Sequence, residues 1–291
     1  MEGAMTSAPA TPATPATGHI VVSKLHGLGN DFLIVLQDGE GGGAAATRPD
    51  SALARRLCDR HQGIGADGLI VGTRLASPGA VDCLLRFHLW NADGSEAEMS
   101  GNGIRCLAHA ALDAGWVPED TPFGVMTPAG RREVDIRRAS EPGSTWGSVE
   151  MGEAKVRGEV DRCNVGHGQL LVDVGNPHLV VLGPDPATVD VATLGPALEA
   201  TDPAGLNVEF VALGPGPDEV KMRVWERGVG ETEACGTGAC AAAAALHHWG
   251  RVGTAVTVHQ PGGAAAVELH ADGTVTLAGP SVHIATCLVH P

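Results

Sequence analysis

The chain carries the same short pattern twice, and that duplication constrains its fold more than any other feature. Ser100-Gly101-Asn102-Gly103-Ile104-Arg105-Cys106 runs into Leu107-Ala108-His109-Ala110-Ala111-Leu112, and Cys235-Gly236-Thr237-Gly238-Ala239-Cys240 runs into five alanines and Leu246. Each copy is a small polar or thiol residue, a Gly-x-Gly turn and an alanine-rich helix. Nine residues ahead of each copy stand Asn91 and Glu226, each directly after a tryptophan. Further upstream, Gly29-Asn30-Asp31-Phe32-Leu33-Ile34-Val35 matches Gly175-Asn176-Pro177-His178-Leu179-Val180-Val181. The order is the same in both halves. Matches in register at three places predict two similar domains joined near residue 150.

Local patterning fits this. Strands are expected at 20–22, 32–36, 84–90, 148–151, 169–174, 179–182, 220–224, 255–259 and 275–278, mostly bounded by Gly, Pro or Asp. Helices are expected at 51–58, 103–114, 189–199 and 238–249. The last is apolar on nearly every side, which predicts a helix enclosed by sheet, because a solvent-facing helix shows a polar stripe. Strands without strict β-α alternation favour an α+β fold over a doubly wound sheet.

Composition excludes several classes of function. A formal net charge of −15 with only Lys24, Lys155 and Lys221 as lysines repels a phosphate backbone, so nucleic acid is not an expected partner. No apolar run approaches the roughly 18 residues that span a bilayer, so a membrane is not expected either. Residues 1–18 are Ala/Thr/Pro low complexity without the cationic start and apolar centre of a secretory signal, and read as a disordered tail. Seven cysteines, an odd number without export signals, argue against a disulfide framework and for the cytoplasm.

A residue just ahead of a Gly-x-Gly turn that opens a helix lies beside backbone N–H groups and the positive helix end. A cysteine there is expected to have a depressed pKa and to serve as a thiolate base near neutral pH. A carboxylate can sit on the same N–H groups, because glycine permits close approach. Two such turns face to face would grip one substrate carboxylate and put a proton carrier on each side of its α-carbon. That arrangement suits inversion of a stereocentre, with a base on one face and an acid on the other. The carbanion is stabilised by the N–H donors, and no cofactor is required.

The stretches His26–Phe32, Asp59–Gly68, Asn91–Ser95, Gly101–Cys106, Gly175–His178 and Glu226–Gly238 resemble the diaminopimelate epimerase family, and the similarity runs from about Ile20 to the end of the chain. The resemblance implies two pseudo-symmetric domains, each a mixed sheet rolled around a central helix, with the active site between them. The first would span 19–150 and the second 151–278, with 279–291 returning to the first. Cys235 would be one of two paired proton carriers. Gly101-Asn102 and Gly236-Thr237 would hold the reacting carboxylate, with Asn30 lining that end. Asn91, Asn176, Asn207, Glu226 and Arg227 would bind the distal end, and His178 and Glu226 would tune the thiol pKa values. The implied substrate is free LL-diaminopimelate, converted to the meso form for lysine and cell-wall synthesis. The partner is thus a small amino acid, and a homodimer stays open.

The chain departs from the family pattern at two positions. The second cysteine of the pair is Ser100, an alkanol far less acidic than a thiol of pKa about 8.5. Cys106, six residues on, matches a non-catalytic family cysteine and does not fill the role. Gly68 stands where many members place a substrate-contacting glutamine. Ser100 is either an introduced change or the natural residue of a one-base epimerase, or of a lyase or dehydratase that eliminates a β substituent. Taken alone, Ser100 also reads as a helix N-cap, Glu226-Arg227 as a surface ion pair, and Cys58, Cys83, Cys163, Cys240 and Cys287 as core thiols.

Other classes fare worse. Gly236-Thr237-Gly238-Ala239-Cys240-Ala241 fits a dinucleotide fingerprint, but no acid stands about 20 residues on, where Thr254–His259 lies. There is no His-Glu-x-x-His and no paired Cys-x-x-Cys to suggest a metal. A non-catalytic amino-acid binder remains if Ser100 is natural.

Overall fold

A computed structural model describes residues 19–39, 49–75 and 83–290, and the expected tail at 1–18 lies outside them. The first half runs β1 (Ile20–Gly27), β2 (Asn30–Asp38), α1 (Ser51–Cys58), β3 (Gly68–Arg74), β4 (Cys83–Asn91) and β5 (Glu96–Ala97). It continues through α2 (Gly101–Asp113), β6 (Phe123–Thr127), β7 (Gly130–Arg138) and β8 (Ser144–Glu153). The second half runs β9 (Lys155–Glu159), β10 (Gly168–Asp173), β11 (Pro177–Leu182), α3 (Val191–Glu199), β12 (Asn207–Leu213), β13 (Glu219–Glu226) and β14 (Gly230–Thr232). It ends with α4 (Gly236–His248), β15 (Ala255–Gln260), β16 (Gly263–Leu269) and the long β17 (Thr274–Val289).

The strand pairings repeat. In the first half β1–β2 is antiparallel, β2–β3 parallel, β3–β4 antiparallel and β4–β6 parallel, and β6, β7 and β8 follow antiparallel. In the second half β10–β11, β11–β12, β12–β13 and β13–β15 repeat those directions in the same order, and β15, β16 and β17 follow antiparallel. The two rings share strands. β17 starts beside β16 and β8 and ends beside β1, closing the first ring. β8 passes the other way, continuing after Ala154 as β9 beside β10.

Each ring holds one helix inside and one outside. Residues 101–112 of α2 are all buried, as are Ala239 to Leu246 of α4, so both inner helices are wrapped by sheet. A helix without a polar stripe has no other stable place in water. Alanine on every face of α4 lets its ring close tightly around it. Outside, α1 packs Leu53, Ala54 and Leu57 on β2 and β3, and α3 packs Val191 and Leu198 on β11 and β12. Both outer helices are N-capped by an aspartate, Asp50 and Asp190.

Several expected boundaries moved. The inner helices start at Gly101 and Gly236, two residues early, because the glycines form the first helical turn. α3 starts at Val191, since Pro186–Thr188 makes a separate 3₁₀ turn. β17 extends to Val289, where long-range pairing with β1 continues a strand whose local pattern has faded. β3 was missed because it is buried on both faces and does not alternate. β7 was missed because it carries charge at most positions and buries only Val134 and Ile136. Cys163 and Cys287, expected in the core, are only half-buried, whereas Cys58, Cys83 and Cys240 are buried. Among the described residues no helix is long and apolar enough to cross a membrane.

Candidate active site

The inner helices bring their N-termini together at the junction of the rings. A Cβ placed on Gly236 would lie 3.7 Å from both the backbone nitrogen and Oδ1 of Asn102. Leu277, on the shared β17, backs both turns: a Cβ on Gly101 or Gly236 would come within 2.7 or 2.8 Å of it. Side chains are thereby excluded, and backbone N–H groups face the space between the helices. Ser100 and Cys235 cap the two helices in near-identical extended conformations, φ −146° and ψ 117° against φ −121° and ψ 120°. Ser100 Oγ accepts from Gly103 N at 3.0 Å, and Cys235 Sγ accepts from Gly238 N at 3.3 Å. The N-cap reading of Ser100 therefore holds, and it coexists with a place in the site.

Both caps line one cavity of about 530 Å³. Its wall also carries Asn30, Asn91, Gly101, Asn176, Asn207, Glu226, Arg227, Gly236 and Thr237, all expected there from sequence. Asn102 and His178 stand just behind that wall. Asn102 Nδ2 donates to Asn30 Oδ1 (3.2 Å) and to the Ala234 carbonyl (3.4 Å), tying the two rings together. Asn30 Nδ2 donates to Asp67 (2.7 Å), which Arg60 in turn holds at 2.7 Å. On the far wall, Asn91 donates to Ser95 Oγ (3.0 Å), and Asn207 Oδ1 accepts from the Arg227 backbone N–H (3.1 Å). Glu226 and Arg227 do not pair with each other. Glu226 takes a hydrogen bond from Thr232 and acts electrostatically on Cys235, while Arg227 Nη1 reaches the Ala204 carbonyl.

The thiol differs from the sequence expectation. Burial, and then the carboxylates of Glu226 and Glu209, push the Cys235 pKa well above its ordinary value. The Thr237 hydroxyl and the Gly238 N–H pull the other way and are outweighed. Helix-end electrostatics act over one turn, whereas desolvation and two nearby carboxylates act on the whole group. These groups therefore favour the protonated thiol of Cys235. Glu226 is itself pushed up by burial, against the hydrogen bond of Thr232. His178 does not bond the thiol: its Nδ1 lies 2.6 Å from Glu209 and its Nε2 2.8 Å from Asn176 Oδ1. Asn176 Nδ2 then reaches Thr237 Oγ1 at 3.5 Å, and Thr237 Oγ1 lies 3.4 Å from Cys235 Sγ.

Comparison with known proteins decides the family. The family model described as diaminopimelate epimerase matches residues 22–157 and 170–284. The chain belongs to the diaminopimelate epimerase family. It is 42% identical over 286 residues to a diaminopimelate epimerase of Desulforudis audaxviator, covering 90% of this chain and 96% of that one. It is 39% identical over 281 residues to the diaminopimelate epimerase of Desulfitobacterium hafniense, covering 90% and 95%. Among solved structures it is similar to a phenazine biosynthesis protein of the PhzF family from Bacillus anthracis, at TM-score 0.70, 15% identity and coverage of 93% and 99%. It is also similar to a hydroxyproline epimerase from Agrobacterium vitis, at TM-score 0.67, 17% identity and coverage of 93% and 92%. At such identity these last two share the fold alone.

Within this family frame, Gly68 is no vacancy. A Cβ there would lie 2.8 Å from Leu89 and from the Trp90 carbonyl, so this backbone has no room for a glutamine. Sequence reasoning missed Glu209, which is fully buried with Oε2 unpartnered. It also missed Asp67, Asp93 and Thr232 on the cavity wall. The repeat held the signal for Glu209. The registers Phe32↔Gly68 and His178↔Asn207 align Ile70 with Glu209, a buried apolar residue replaced by an acid.

Proposed function

We propose that the protein is a cofactor-independent isomerase that converts LL-diaminopimelate to the meso form, with Cys235 moving the α-proton. The observation that carries this reading is the pair of helix N-termini opposed across one cavity, with Cys235 and Ser100 capping them. The substrate carboxylate binds the N–H groups of Gly101-Asn102 and Gly236-Thr237, which also take up charge as the α-carbanion forms. Asn30 lines that end. Asn91, Asn176, Asn207, Glu226 and Arg227 receive the distal amino-acid end.

Cys235 must lose its proton before it can act as a base, and Glu226, on the same cavity wall and acting electrostatically on the thiol, is the acceptor. A substrate ammonium in the cavity favours the thiolate by adding positive charge beside it. Cys235 then removes the α-proton from its own face. Return on the opposite face comes from the Ser100 hydroxyl or a water, because the Ser100 O–H is free to donate while its oxygen caps Gly103. Ser100 makes this an asymmetric, slower epimerase. His178 supports Cys235 at a distance, through Asn176 and Thr237.

The two repeats, 19–150 and 151–278, with 279–291 returning to the first, are the units between which the substrate binds. The partner is a free amino acid, neither nucleic acid nor membrane, and the setting is cytoplasmic lysine and cell-wall synthesis. The test is proton NMR of LL-diaminopimelate with the protein in D2O. Loss of the α-proton signal with growth of the meso isomer is expected. Full retention of α-hydrogen at saturating substrate refutes the reading, and release of water or ammonia from a β-hydroxy amino acid replaces it with a lyase.

A further inference from the structure

Arg105 is a fully buried cation that the proposed mechanism leaves unused. Its side chain is fully buried on α2, one turn inside the N-terminus that faces the cavity. Nη2 donates to Asn102 Oδ1 at 2.8 Å, while Nε and Nη1 have no partner among the described residues. Among the described residues no carboxylate pairs with it. Three glycines, distant in sequence, line the space that the side chain occupies. A Cβ on Gly27 would lie 3.3 Å and one on Gly279 3.2 Å from Nη2, and one on Gly147 would lie 3.4 Å from Cγ. Burial pulls its pKa down to about 10, which leaves it a cation at neutral pH.

A buried cation without a counter-ion is costly, and one held in place by three glycines must be offset by something. The repeat shows that the fold does not require it, because the equivalent position in the second half is Cys240. What it touches is Asn102, whose backbone faces the Gly236 turn and whose amide spans the rings to Ala234. We propose that Arg105 is a positioning residue for the anionic end of the substrate: its buried charge complements the carboxylate gripped between the two helix N-termini, and its hydrogen bond fixes the Asn102 amide that joins them. This rests on the proposed site for the substrate carboxylate. The protein itself supplies no carboxylate partner for this charge among the described residues, and the substrate carboxylate is its counter-ion.

The test uses the thiol on the cavity wall as a reporter of charge. Iodoacetate, an anion, and iodoacetamide, its neutral counterpart, both alkylate Cys235 with loss of iodide, and peptide mass spectrometry resolves Cys235 from other thiols. The ratio of the two rates cancels any change in thiolate fraction. Arg105→Met and Arg105→Gln are expected to lower that ratio on the order of tenfold, as for a unit charge removed from a site of intermediate dielectric. Arg105→Lys is expected to keep it within about threefold. KM for diaminopimelate rises in the neutral variants, while their urea midpoints stay level or rise, because an unpaired buried charge has been removed. An unchanged ratio in either folded neutral variant, or an equal loss in Arg105→Lys, overturns the proposal. If the wild-type protein leaves the α-hydrogen of diaminopimelate untouched but keeps its preference for iodoacetate, the functional reading fails and the role of Arg105 stands.

Discussion

Replacing Ser100 with cysteine restores a second thiol and tests the asymmetry directly. The site is already shaped for it: the equivalent cap, Cys235, holds its sulfur 3.3 Å from Gly238 N with backbone angles close to those of Ser100. The sulfur of Ser100→Cys would take the Gly103 N–H that Oγ now accepts at 3.0 Å. Sulfur is the weaker cap, so the loss is at most about 1 kcal/mol, or a melting temperature lower by roughly 2–4 °C. Against that stands the gain from a properly placed proton donor, about 10²- to 10⁴-fold. The assay follows deuterium wash-in at the α-carbon by NMR alongside LL-to-meso conversion by chiral chromatography. In the wild-type protein wash-in should outrun inversion, because Cys235 can exchange its proton and return deuterium to the same face. In Ser100→Cys inversion should rise by at least about a hundredfold and approach the wash-in rate. A variant that folds, exchanges and inverts no faster than wild type would show that residue 100 does not serve the opposite face.

Three further outcomes follow from particular contacts. Glu226→Gln removes the carboxylate that acts more strongly on Cys235, so the pH midpoint for alkylation of that thiol by iodoacetamide should fall; an unmoved or higher midpoint refutes the assignment. Burial holds the His109 pKa down to about 4, against about 6.5 in the unfolded chain, so the unfolded state binds more protons between those values. Stability is then lost as pH falls from 6.5 towards 4, by roughly 3 kcal/mol in full, and His109→Gln should flatten that part of the urea-stability curve. A Cβ on Gly262 would lie 1.9 Å from the Leu28 carbonyl, where the second ring presses on the turn leading into Asn30. Gly262→Ala should therefore cost about 2 kcal/mol in urea denaturation and slow α-proton exchange, and a fully stable variant would count against that contact.

The sequence was most readable where a signal was repeated. Ser100 and Cys235, Asn91 and Glu226, and Asn30 and Asn176 were paired by internal similarity, and each pair lines the same cavity. Enclosure of α4 followed from the lack of a polar stripe. What stayed hidden depended on residues far apart in the chain. The side chain of Arg105 looks like an ordinary helix-surface guanidinium until Gly27, Gly147 and Gly279 are seen to make space for it. Glu209 sits in a strand whose alternation would accept an outward acid; it is buried because Gly238 leaves room, with a Cβ there only 2.8 Å away, and because His178 meets it. The thiol expectation failed for the same reason. The helix terminus beside Cys235 is local and legible, but the burial and the two carboxylates that outweigh it arrive from other strands.

A duplicated fold need not perform duplicated chemistry, and the paired positions show where the halves have parted. Behind Cys235 the second ring places His178 and Glu209; at the matching registers the first ring places Phe32 and Ile70. Ile70 lies against the turn that Ser100 caps, since its Cδ1 would be 2.9 Å from a Cβ on Gly103. Glu226, whose charge acts on the thiol, corresponds to the neutral Asn91. In the proposed mechanism the thiol side can therefore reload internally, passing its proton to a buried carboxylate and taking it back. The serine side has only its own hydroxyl and the water of the cavity, with apolar packing behind it. The buried cation of Arg105 sits on that same serine side, at the position that Cys240 takes in the second half of the repeat. In the proposed mechanism proton traffic is concentrated in the second ring, and the first holds and neutralises the substrate. On that partition a hydroxyl at position 100 should leave binding intact while it slows delivery of a proton to one face.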